Sequence, residues 1–146
     1  KNKIRKLLKN KAFLAFLLSL FCGFLIVFPS IILSGEWIYT VISDFNVQQV
    51  PFTMLINKSI KSGNILWSWV NDLGSNFIST FSFYNLLSPF SIISYIFPAN
   101  WYPYLVGPFE ILKYGVSGLT SYLFLKRYVE NKNYAILGSL LYSFSK

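Results

Sequence analysis

From Ala12 to Leu33 the chain runs through 22 residues that are almost all apolar. As a helix this run is about 33 Å long, enough to cross the hydrocarbon of a bilayer. A small soluble core has no use for an apolar block of that length. The composition agrees, at 54% hydrophobic, 20% aromatic and only 12% charged residues, against roughly a quarter charged in soluble domains. So few charges cannot cover a globule in water. The expected fold class is an all-α membrane protein.

The flanks of the run orient it. Six of the thirteen basic residues precede or open it: Lys1, Lys3, Arg5, Lys6, Lys9 and Lys11. Beside an apolar block, such a cluster reads as a positive-inside signal that also meets anionic lipid headgroups. Nucleic-acid binding is not expected, because no nucleic-acid-binding motif accompanies the charge. A secretory signal shares the basic start, but its apolar region is shorter and ends at a small-residue cleavage site, which is not evident before Ser34-Gly35. Trp37 and Tyr39 fall where an interfacial aromatic belt belongs.

The segment boundaries follow from charge and hydropathy. Residues 1–11 form a basic cytoplasmic N-terminus and 12–34 a first transmembrane helix, whose last turns Pro29 is expected to kink. Residues 35–103 form an extracellular loop with membrane-surface helices, where Glu36, Asp44 and Asp72 oppose Lys58 and Lys61 for a net charge of −1. A second transmembrane helix spans 104–125, a cytoplasmic loop rich in Lys126, Arg127 and Lys132 spans 126–132, and 133–146 begins a third helix. That last stretch has room for only half a crossing, so the sequence is expected to be part of a longer, multi-pass chain, its remaining helices packing on these.

Within the outer loop, Phe52, Leu55, Ile56 and Ile60 recur at helical spacing, with Asn57, Lys58 and Lys61 opposite and Pro51 in the first turn. This predicts an amphipathic helix on the membrane surface. A second apolar stretch, 77–97, is broken by Ser88-Pro89 and is expected to be interfacial helix, since a crossing there would place the later basic loop on the wrong side. Gly63 and Gly74 are assigned to turns.

The sequence has one cysteine and no histidine, so its own residues offer no disulfide, no histidine-based zinc site and no histidine-centred triad. Cys22, inside the first apolar run, is expected to be a packing residue. Of the acids, Asp44 suits either a helix N-cap or loop role, or that of a general base or divalent-ion ligand at the membrane face. Gln48 lies about one turn further on, where it can orient a polar ligand. Glu110 and Lys113 are either a structural ion pair or a site where Lys113 reaches a phosphate. Trp67, Trp69 and Asn76 suit carbohydrate stacking and hydrogen bonding, and equally the bilayer interface.

The order of motifs adds to these readings. An acidic residue before Gln48 and Pro51-Phe52 is followed by Ser62-Gly63, Trp67-Ser68-Trp69, Leu73-Gly74-Ser75-Asn76-Phe77, Tyr84, Leu87-Ser88-Pro89-Phe90, Ile96-Phe97-Pro98 and Leu112-Lys113. This order resembles the N-terminal region of the YfhO family of bacterial multi-pass membrane proteins, over residues 34–127. The resemblance implies GT-C-like transmembrane helices with a first outer loop carrying amphipathic juxtamembrane helices and a catalytic carboxylate, at Asp44. It also implies transfer of a sugar from a polyprenyl-phosphate donor to a cell-surface polymer such as teichoic acid, outside the bacterial cytoplasmic membrane. In that picture Gln48, Lys113, Trp67, Trp69 and Asn76 serve the substrate, and a divalent metal, if used, would sit at Asp44. The sequence departs from the family pattern at Ser43, where glycine is usual, and at Gln49, where tyrosine is usual. The rival expectation is a non-enzymatic lipid or polymer transporter, or a cell-envelope assembly scaffold.

Overall fold

The computed structural model describes residues 10–39, 44–69, 73–84 and 86–145. The basic residues of positions 1–9, Ser43 and Asp72 lie outside the described residues. The chain divides into two compact units, residues 1–33 with 107–146, and residues 34–106.

The first unit contains α1 (Lys11–Leu33), most of α5 (Tyr102–Leu125) and α6 (Lys132–Phe144). Both long helices match the expected spans to within two residues, and α1 runs on through Pro29. Among the described residues, only α1 is long and apolar enough to cross a membrane by length and composition, with mean hydropathy 2.6. In α5, Glu110 and Lys113 interrupt the apolar run.

Which residues α1 buries is more telling than how apolar it is. Its buried positions are Ala15, Ser19, Gly23 and Val27, one every four residues, while Phe21, Leu25, Ile26, Ile32 and Leu33 are exposed. In water this would be inside out. In lipid, outward bulk costs nothing, and small inward residues let backbones approach.

The approach is close. A Cβ on Gly118 would overlap the Ser19 hydroxyl, one on Gly115 would lie 2.9 Å from the Phe16 ring, and one on Gly23 would lie 2.9 Å from the Tyr114 ring. As α1 advances from Ser19 to Gly23, its partners on α5 recede from Gly118 to Tyr114, so these two helices are antiparallel. Tyr114 also stacks on Phe144 of α6, with ring centroids 4.7 Å apart. Ala15, Tyr122, Ala135 and Ile136 form the core where the three helices meet.

One end of this unit is basic. The Lys11 ammonium donates to Asn133 Oδ1 at 3.0 Å, and the Lys132 ammonium donates to the Lys126 carbonyl at 2.7 Å, closing the turn between α5 and α6. Asn131 caps α6, its side-chain oxygen accepting from Asn133 N–H at 3.0 Å.

In the second unit, among the described residues, a π-helical turn at Phe45–Gln49 leads into α2 (Val50–Ser62). Pro51 occupies the first turn of α2, and Gly63 ends it in the left-handed conformation at φ 77°. Asn64 N–H then returns to the Ser59 carbonyl at 3.0 Å, the familiar glycine stop of a helix. Two strands of two residues each, β1 (Trp67–Ser68) and β2 (Ser75–Asn76), pair antiparallel with Trp67 opposite Asn76. This hairpin was not anticipated from sequence, because two-residue strands carry no periodicity.

The stretch 77–97 is broken into short pieces, as Ser88-Pro89 suggested. These are α3 (Phe77–Phe81), a 3₁₀ turn at Ser82–Tyr84 and α4 (Pro89–Ser94), and none has the length to cross a bilayer. Ile56, Phe77, Phe81 and Leu86 make the core of the unit, with Phe52, Leu55, Tyr84 and Tyr95 packed on it. The Tyr95 hydroxyl donates to the Leu86 carbonyl at 3.0 Å. Burial, then the neighbouring Tyr102, push the Tyr95 phenol up from 10.0 to about 12.

One placement is corrected. Asn57 was expected on the outward polar face of α2 with Lys58 and Lys61, but it is 1% exposed. Its amide nitrogen donates to the carbonyls of Ser94 at 3.3 Å and Phe97 at 3.1 Å, and the Lys61 ammonium also donates to the Phe97 carbonyl. The polar stripe of α2 thus serves carbonyls at and just beyond the end of α4, not water alone. Lys58 is exposed as expected.

Candidate functional site

Asp44 stands at the N-terminal boundary of the π turn, with helical backbone angles (φ −53°, ψ −21°). Its side chain is exposed and makes no capping hydrogen bond among the described residues. A capping aspartate normally has extended backbone angles and accepts from an N–H two or three residues on. The N-cap reading therefore fails on both counts, and the carboxylate is turned outward.

The π turn comes from the register of its hydrogen bonds: Val50 N–H donates to the Phe45 carbonyl, five residues back. Pro51, next in line, has no N–H to donate. Widened turns of this kind are uncommon and often coincide with functional sites. Thr53, buried one turn later, sends its hydroxyl to the Gln49 carbonyl at 2.7 Å and so fixes the junction with α2.

Gln48 lies four residues after Asp44, and its side-chain oxygen accepts from the Tyr84 hydroxyl at 3.3 Å. The Tyr84 ring packs on Phe52 with centroids 4.5 Å apart, and Phe52 meets Phe81 edge-on at 6.0 Å. Gln48 is thereby held by an aromatic side chain that is itself anchored in the core. Tyr84 belongs to the motif order, yet nothing in the spacing pairs residues 36 apart, and its role at Gln48 emerges only in the fold.

Trp67, Trp69 and Asn76 are brought together by the hairpin. The two indoles meet at 69° with centroids 5.6 Å apart. The Asn76 side-chain oxygen caps α3, accepting from Ser79 N–H at 3.1 Å.

Lys113 belongs to the first unit, where its ammonium pairs with the Glu110 carboxylate at 2.5 Å. The ion pair expected from the three-residue spacing is present, so any anion reaching Lys113 meets an ammonium already shared with Glu110. Among the described residues, no group of three or more acids, cysteines or histidines could hold a metal ion.

A helical unit that turns bulk outward and small residues inward, followed along the chain by an aromatic unit with an exposed carboxylate, defines a membrane protein with a candidate site in the segment following α1. The chain belongs to the YfhO family of bacterial membrane proteins, whose family model matches residues 14–146. No curated protein and no solved structure matches the chain.

Proposed function

We propose that the protein takes part in transferring a sugar from a polyprenyl-phosphate donor to a cell-surface polymer such as teichoic acid, at the outer face of the cytoplasmic membrane. The observation carrying this reading is Asp44, an exposed carboxylate without a capping bond among the described residues, one turn from a Gln48 oriented by Tyr84. In the proposed reaction the acceptor hydroxyl attacks the anomeric carbon and gives its proton to Asp44. The bond from that carbon to the phosphate oxygen breaks, and the phosphate leaves with its lipid. Gln48, held by Tyr84, orients the sugar or acceptor. Of the side chains expected at the substrate, the reading keeps Gln48.

The orientation belongs to the same proposal. Lys11, Lys126 and Lys132 gather at one end of the first unit, and a basic end is retained in the cytoplasm. With α1 and α5 both crossing, the residues between them lie outside. A lipid-linked donor explains why a reacting carboxylate would follow directly on a span.

The test is sugar transfer in membranes carrying full-length protein with Asp44→Asn, inserted at the wild-type level. Transfer should fall by about 10²–10⁴-fold, the usual worth of a general base. Wild-type turnover by the variant would remove Asp44 from the mechanism and the reading with it.

A further inference from the structure

The second unit holds all four tryptophans, Trp37, Trp67, Trp69 and Trp101, and every one is exposed. Indoles turned outward suit the headgroup level of a bilayer, where the ring and its N–H find different surroundings. The hairpin concentrates the effect. Leu66 is 76% exposed, Trp69 78% and Leu73 98%.

Leu73 also holds φ at 64°, a left-handed backbone that leucine disfavours and that this outward side chain does not offset by packing within its unit. Behind it Gly74, at φ 106°, is closed in, because a Cβ there would lie 2.8 Å from the Trp69 ring and 3.1 Å from the Trp67 ring. The two indoles packed on Gly74 hold the turn that carries Leu73 outward.

We infer that the outward apolar residues of this hairpin, Leu66, Trp67, Trp69 and Leu73, insert into the lipid bilayer at headgroup depth and anchor the second unit to the membrane surface. The occupant is lipid because the unit begins at Ser34, directly after α1 ends at Leu33. The chain itself keeps the unit within reach of a bilayer. Ile65 and Ile78, which flank the two strands, also line an apolar groove with Phe77 and Leu87, so the apolar surface continues from Leu66 at the open end of the hairpin. A sugar platform asks for an open ring face with hydrogen-bonding groups at its edge. Here the indoles cross at 69° and the Asn76 oxygen is committed to capping α3.

The inference stands apart from the transferase reading, since lipid contact can be measured without any turnover. Full-length protein with Cys22 and any further cysteines replaced is reconstituted into phosphatidylcholine–phosphatidylglycerol nanodiscs. A nitroxide is attached at Leu73→Cys, at Leu66→Cys or, as the control, at Lys58→Cys on the exposed side of α2. Collision rates with oxygen, which concentrates in lipid, are compared with those of a water-soluble nickel chelate. The oxygen-to-nickel ratio should be several-fold higher at 66 and 73 than at 58. An equal or lower ratio at either position 66 or position 73 overturns the inference and returns the indoles to an aqueous role.

Discussion

Asn57 illustrates how a single side chain can be read correctly as polar and wrongly as outward. Helical spacing assigns it to the polar stripe of α2, and it does lie opposite the apolar residues. What spacing cannot say is whether the polar partner is water or another segment's backbone. The carbonyls of Ser94 and Phe97 take its donors, and its own oxygen, fully buried, has no hydrogen-bond partner among the described residues. Replacing Asn57 with leucine removes the Asn57 donor from both carbonyls while keeping the volume, and leaves the Phe97 carbonyl with Lys61 alone. The expected cost is about 1–3 kcal/mol, seen as a lower thermal midpoint and faster amide exchange over residues 91–97. Lys58→Leu, at an exposed position of the same helix, should leave exchange there unchanged. Asp44 is the opposite case. Its residue type and place after the first span were legible in the sequence, but the loss of its capping role required backbone angles.

At the scale of elements, the long helices were readable and their contacts were not. Apolar length alone delimited α1 and α5 to within two residues, because a mostly apolar run of that length favours one continuous helix. The glycines of α5 showed no pattern in sequence that tied Gly118 to Ser19. A Cβ at 118 would overlap the Ser19 hydroxyl, so Gly118→Ala should force the helices apart, with a loss of about 1–3 kcal/mol in detergent-solubilised unfolding. Adding Ser19→Gly should restore most of that loss, since it empties the space the new methyl needs. If the double variant is no better than Gly118→Ala alone, the contact is not what sets the spacing. The hairpin lies at the other extreme. Its strands are too short to alternate, and only Gly74 marked the turn.

Considered as a whole molecule, the first unit carries a topological argument of its own. Antiparallel α1 and α5 bring the start of one beside the end of the other, and the lysines there share that end. In cells expressing full-length protein with Cys22 replaced, Arg127→Cys should react with a membrane-impermeant maleimide only after permeabilisation. Asn64→Cys, exposed in the second unit, should react in intact cells. The reverse pattern would place Asp44 in the cytosol, where a lipid-linked donor on the outer leaflet cannot reach it.

Taken alone, the sequence determined the solvent, the helical class and the stretches of α1, α2 and α5, because these depend on hydrophobic length, period and charge bias, which are local along the chain. It also singled out Asp44 and Gln48 by order and residue type. Only the tertiary structure decided that Tyr84 holds Gln48, that Asn57 faces carbonyls and that Tyr114 fills the space over Gly23. Those contacts join residues tens of positions apart, and their geometry depends on how closely two backbones approach, a quantity no single segment encodes.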